Sequence, residues 1–259
     1  MKLPPSMLNK PLAMLPDYAA ALLAGGIQPS RDTDAPAAVI MRGVAVIPVR
    51  GALAQCSDGY STGYDDLRGA FLAAMAASSA RAVVFDIDSP GGDVAGLFDF
   101  VDLIHAARGG KPIVAICSEV AFSAAYAIAS ACDFITVPRT GGVGSVGVIT
   151  MLADISKALA AGGVAVHFVH YGAQKAEAGR AELTGVSDGV LSRVQASVDR
   201  AGELFVATVA RNRGLSVDAV RATEAACFDG ELGVAAGLAD AVASPDEAFR
   251  ALLADLDAA

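Results

Sequence analysis

From Val39 onward, short runs rich in Val and Ile alternate with Ala-rich stretches of helical spacing, and no other feature of the chain constrains its fold as tightly. VAVIPVRG (44–51), ARAVVFDIDSPGG (80–92), KPIVAICSEV (111–120), FITVPR (134–139), GGVGSVGVIT (141–150) and VAVHFVHYG (164–172) read as strands. Between them, YDDLRGAFLAAMAAS (64–78), VAGLFDFVDLIHAA (94–107), the stretch from Ala124 and ISKALAAGG (155–163) read as helices. Strands separated by helices pair in parallel through right-handed crossovers, so the expected class is α/β. After Val186 the chain reads as mainly helical: a long amphipathic helix over 187–213 that Gly214 terminates, a short helix in SVDAVRATEA, and a helix, turn and strand in DGELGVAAGLADAV. PLAMLPDYAAALLAG reads as an N-terminal amphipathic helix and QPSRDTDAPAA (28–38) as a linker; SPDEAFRALLADLDAA reads as a surface helix fraying into a tail. The expected division is residues 1–36 as helix and linker, 37–243 as the main domain and 244–259 as the tail.

Composition removes several function classes. With 259 residues, 54% of them hydrophobic and 18% charged, the chain can bury a full globular core. No apolar run approaches the roughly 20 residues that cross a bilayer, so no membrane anchor is expected. The net charge of −9 and the lack of a basic cluster speak against a nucleic-acid partner. Cys56, Cys117, Cys132 and Cys227 stand singly in apolar surroundings without C-x-x-C spacing. They read as buried free thiols in a reducing compartment rather than as disulfides or a metal site.

Four places hold chemistry. In SEVAFSAAYAIASACD (118–133), Ser123 stands at the first turn of a helix that reads as buried on most sides, where it is either an N-cap or a nucleophile. In DSPGGDV (88–94) the glycines either shape a helix entry capped by Asp93 or free a backbone N–H for an oxyanion. TGGVGSVGVI (140–149) lacks the Lys-Ser/Thr of a phosphate loop and reads as a close-packed strand, with Ser145 inside it. A serine nucleophile needs a base. His105, His167 and His170 each read more simply as surface or strand-face residues, and Lys175, in the small-residue loop YGAQKAEAG, is the other candidate.

Taken in order, DIDSPGGDV, SEVAFSAAYAIASACD, GGVGSVGVI and HYGAQKAEAG resemble the S49 peptidases, the family of bacterial signal peptide peptidases and phage prohead proteases. The resemblance runs from about Val39 to Val242. It implies a Clp protease/crotonase-like fold of repeated ββα units with a helical C-terminal region, and a serine endopeptidase that works without metal or cofactor. It further implies Ser123 as nucleophile, Lys175 as general base, Gly91 and Ala124 as oxyanion donors through their amides, and Ser145 as the hydroxyl that orients the lysine. Many bacterial members carry Ser-Gly-Gly-Tyr where this chain has Ser123-Ala124-Ala125-Tyr126; phage members tolerate Ala, and the opening PLAMLPDYAAALLAG also resembles theirs. The resemblance therefore leans to a prohead protease that assembles as a homo-oligomer and cuts scaffold or portal-associated protein, in host cytoplasm or prohead interior. A soluble signal-peptide-peptidase-like enzyme, an inactive capsid scaffold and a crotonase-like acyl-CoA enzyme are the alternatives.

Overall fold

The computed structural model describes residues 10–23, 37–57, 59, 61–172, 174–175 and 183–258. The chain opens with β1 (Leu12–Met14) and α1 (Pro16–Leu23), followed by β2 (Val39–Met41), β3 (Val44–Arg50), β4 (Leu53–Ala54), β5 (Thr62–Gly63) and α2 (Tyr64–Ala76). Next come β6 (Ala82–Ser89), β7 (Gly91–Asp93), α3 (Leu97–Ala106), β8 (Ile113–Phe122), α4 (Ala124–Ser130), β9 (Phe134–Val137), β10 (Gly142–Gly144) and α5 (Ser156–Ala161). The C-terminal part holds α6 (Asp188–Arg213), α7 (Val217–Arg221), β11 (Cys227–Asp229), α8 (Gly230–Ala235), β12 (Ala241–Val242) and α9 (Pro245–Ala258).

The centre is a parallel sheet in which β3, β6 and β8 lie side by side, giving the α/β class expected from the alternation. Both faces of these strands are covered, which is why they read as near-continuous apolar runs. Ala45, Ile47 and Val49, Val83, Phe85 and Ile87, and Ile113, Ala115 and Cys117 turn one way, toward α2, α3 and α4. There Phe71, Phe85 and Phe100 meet with ring centroids 5.6–6.5 Å apart. Val44, Ala82, Val84, Val114 and Ile116 turn the other way and pack on Ala248, Leu252 and Leu253 of α9. Residues 245–258, read from sequence as a fraying surface helix, are thus a helix that covers one face of the sheet.

β8 is the pivot. Its first half pairs with β9 and its last three residues pair with β10, so the sheet divides along one long strand and leaves β8 to end between two partners. A second division occurs where β6 ends: after Pro90 the chain enters β7, which belongs to a small separate sheet of order β1-β7-β4-β5. The strand expected within 80–92 is β6, and the Gly-rich turn expected at its end leads into a second short strand, β7, in the other sheet. The expected strand 141–150 is regular only over Gly142–Gly144, and VAVHFVHYG (164–172) forms no strand, leaving Val169 and Tyr171 almost fully exposed. Its period-two pattern has no partner within the described residues. β1 is an element that the sequence reading merged into the N-terminal helix. Of the four cysteines, Cys117 and Cys132 are buried as expected, whereas Cys56 and Cys227 are exposed, because both lie in short edge segments rather than in the core.

Candidate active site

Where β8 hands over to α4, Ser123 adopts φ 54° and ψ −118°. An L-residue is rarely held there, and such strain persists only where its surroundings over-determine it. Those surroundings are visible: the Ser123 N–H donates to the Gly144 carbonyl at 2.8 Å, and its carbonyl accepts from Ala127 N–H at 2.9 Å, the first bond of α4. The side chain makes no capping bond; instead its hydroxyl donates to the Gly147 carbonyl at 3.4 Å. Ser123 therefore stands at the N-cap position of α4 without capping it through its side chain. Ala124 and Ala125 are fully buried because α4 is enclosed on all sides, and the Phe122 ring rests on Gly142, where any Cβ would strike it.

The far end of α4 is fixed too. Arg108 donates to the carbonyls of Ser130 and Ala131, both at 2.8 Å, and to that of Cys132, so a guanidinium satisfies carbonyls that the helix leaves orphaned. Asn212 from α6 donates to the Ser130 hydroxyl at 3.0 Å. Tyr126 donates to the Leu238 carbonyl at 2.9 Å, and burial pushes its phenol far up. Arg213 holds Asp240 through two bonds, 2.7 and 3.0 Å, beneath the same region.

Gly91 lies beside the Ser123 turn. Its φ of 99° needs glycine, and a Cβ there would run into the Ala13 carbonyl while lying 3.0 Å from the Ala124 nitrogen and 3.0 Å from the Phe122 carbonyl. The Gly91 Cα thus lies close to the Ala124 amide. The Gly91 N–H donates to the Ser89 hydroxyl at 3.2 Å, and Ser89 donates in turn to the Gly51 carbonyl at 2.6 Å, so the turn is braced from below. The N-cap position of α3 is Gly96 rather than Asp93, and Asp93 forms an ion pair with Lys10 at 2.6 Å.

Ser145 comes to the same place across the β8–β10 pair. It is buried, holds φ 55°, and donates its N–H to the Ala226 carbonyl at 2.9 Å. Its side chain is hydrogen-bonded with the Cys227 thiol, which burial pushes upward. Ser123, Ala124, Gly91 and Ser145 are therefore brought together. Lys175 is not among them: it is exposed in a turn closed by its own N–H to the Gly172 carbonyl, 3.1 Å. Among the described residues no hydrogen bond joins it to Ser123 or Ser145, and Ala173 and residues 176–182 of its loop lie outside the described part. The histidines do not replace it: His167 and His170 are exposed, and His105 belongs to α3, where burial chiefly, then Arg108 and Arg211, hold its pKa down.

Sequence reasoning overlooked Lys10–Leu15, which lies across the oxyanion turn. A signal was available in KPLAMLP: the residues before Pro11 and Pro16 are biased to extended backbone, and three apolar residues stand between them.

Two crystal structures of enoyl-CoA hydratases share the architecture. One is a hydratase/isomerase family member, with a TM-score of 0.52 at 16% identity over 89% of this chain and 78% of that one. The other, from Shewanella pealeana, has a TM-score of 0.53 at 10% identity over 87% and 74%. They establish the crotonase-like fold and nothing of the chemistry. Among curated relatives, the head-tail preconnector protein GP5 of Enterobacteria phage P21 is 38% identical over 240 residues, 91% of this chain and 46% of that protein. Capsid assembly protease C of Escherichia phage lambda is 32% identical over 224 residues, 85% and 51% respectively. This chain spans about half the length of each. The family model that matches residues 105–258 takes in the nucleophile turn, the Ser145 segment and the Lys175 loop, and the chain belongs to peptidase family S49.

Proposed function

We propose that this chain is a serine endopeptidase of the capsid-assembly kind, with Ser123 as nucleophile and Lys175 as general base. The observation that carries the reading is the strained, non-capping Ser123, with the Ala124 amide after it and Gly91 alongside. The Ser123 oxygen attacks the scissile carbonyl carbon and its proton passes to a neutral lysine amine. The carbonyl oxygen takes the negative charge between the Gly91 and Ala124 N–H groups. The tetrahedral adduct collapses with loss of the amine, which receives the proton, and water then cleaves the acyl-serine by the same route. For the oxyanion to bind, the Gly91 N–H exchanges the Ser89 hydroxyl for it. Ser145 orients the lysine amine once Lys175 reaches the site.

In one chain Lys175 stands in solvent, so the reading requires the Lys175 amine to reach Ser123 in the working assembly. The exposed Val164, Phe168, Val169 and Tyr171 before that loop are the surface a second copy would cover, which is the basis for proposing a homo-oligomer. The names of the phage relatives point to capsid-assembly proteins as substrates. Casein hydrolysis by the wild type and its absence in Ser123→Ala and Lys175→Ala chains of unchanged fold would support the proposal. Undiminished turnover by Lys175→Ala would exclude the dyad while leaving Ser123 in place.

A further inference from the structure

We infer that residues 10–15 are a tethered occupant of the peptide-binding groove at Ser123, an inference that rests on the peptidase reading above. β1 runs antiparallel to β7, with Leu12 opposite Asp93, Ala13 opposite Gly92 and Met14 opposite Gly91. On its other side, Leu12 N–H donates to the Ile149 carbonyl at 2.7 Å and Ile149 N–H to the Leu12 carbonyl at 2.9 Å. Leu15 N–H donates to the Pro90 carbonyl at 3.1 Å.

The two backbone edges that hold β1 also border the nucleophile. β7 begins at Gly91, and Ile149 follows Gly147, whose carbonyl accepts the Ser123 hydroxyl. A peptide with its scissile carbonyl between the Gly91 and Ala124 amides has to lie extended between these edges, pairing with one or both, which is the way a strand is added to an open sheet. β1 already occupies that place. Its Ala13 carbonyl stands where a methyl on Gly91 would be, and Leu12, Ala13 and Met14 are buried.

The contacts are those of an exchangeable strand. Most are main-chain bonds that any peptide can make. Leu12 and Met14 pack in a small cluster of their own with Ala19 and Ala52, and only Ala13 of the three joins the main core. The N-terminal end is held by two polar contacts at Lys10, its ion pair with Asp93 and the Thr150 hydroxyl donating to its carbonyl at 2.6 Å. Two consequences follow: the resting chain is held back by its own strand, and a segment that displaces β1 carries a small residue at the register of Ala13.

The test uses the full chain with Ser123→Ala and a fluorescein-labelled peptide of sequence KPLAMLPD, residues 10–17, followed by fluorescence anisotropy. Lys10→Ala weakens the tether mildly and Lys10→Glu with Leu12→Asp strongly. Relative to the untouched tether, the strong variant should bind the peptide about tenfold tighter, the factor expected if the groove is otherwise open a tenth of the time. Lys10→Ala should lie between, and a peptide with Leu in place of Ala13 should not bind. With Ser123 restored, casein hydrolysis should rise in the same order and be suppressed by added peptide. Equal binding to all chains, or to none, overturns the inference. So does a weakened tether that lowers hydrolysis and is rescued by the peptide, since β1 is then a structural strand. Peptide binding in the expected order with no turnover by any chain contradicts the peptidase reading and leaves the occupancy standing.

Discussion

At Ser123 the backbone holds a conformation that costs an L-residue about 1–3 kcal/mol, and the gain is a hydroxyl presented away from the helix it precedes. This predicts opposite effects of one substitution on two properties. Ser123→Gly should remove turnover yet raise the melting temperature by about 2–4 °C, as relief of about 1 kcal/mol does in a chain of this size; calorimetry of the two proteins checks it. An unchanged or lower melting temperature would show that the site holds no such strain. Thiol reactivity offers a second residue-scale test. Burial pushes Cys117 up to about 12 and Cys132 higher still, while Cys56 and Cys227 are exposed. Native protein treated with iodoacetamide at neutral pH should therefore acquire two adducts, on Cys56 and Cys227, by mass spectrometry. The sequence pointed to Ser123 but left its cap alternative open, because capping is decided by where one oxygen points. It misread Cys56 and Cys227 for a similar reason: apolar neighbours in sequence do not guarantee neighbours in space.

At the scale of elements, the placement of Ser123 depends on how firmly α4 is held at its other end. Arg108→Ala removes charged hydrogen bonds to at least three carbonyls and should cost about 2–4 kcal/mol, measured by urea unfolding. A larger loss of kcat than of substrate binding would show that the helix end positions Ser123. The parallel strands and their helices were legible because burial on both sides writes itself as unbroken runs of Val, Ile and Phe. β8 was legible in position but not in its division between β9 and β10, which depends on partners distant in the chain. VAVHFVHYG has the alternation of a half-buried strand and no pairing edge among the described residues, showing that a strand pattern states a capacity that tertiary contacts fulfil or leave open. β1 was hidden for the converse reason, since three residues are too few for a period.

For the whole molecule, pH acts on stability through His105. His105 is held below its ordinary pKa first by burial and then by Arg108 and Arg211, with Asp102 and Asp133 opposing. Its neutral form is the one the fold favours. The unfolded chain therefore takes up this proton first as pH falls, and stability present above about pH 6.5 is lost progressively below it. Thermal denaturation of His105→Gln should show a weaker acid decline than wild type; parallel declines would remove His105 as the cause. Sedimentation should show association that weakens when Val169 and Tyr171 are replaced by Ser.

The most direct test of the central assignment is labelling by a fluorophosphonate, which reacts with activated serines, followed by peptide mapping and parallel casein hydrolysis. One adduct is expected, on Ser123, formed faster in the Lys10→Glu, Leu12→Asp chain and lost together with hydrolysis in Ser123→Ala. Hydrolysis that persists in Ser123→Ala, or an adduct on another serine, would contradict it.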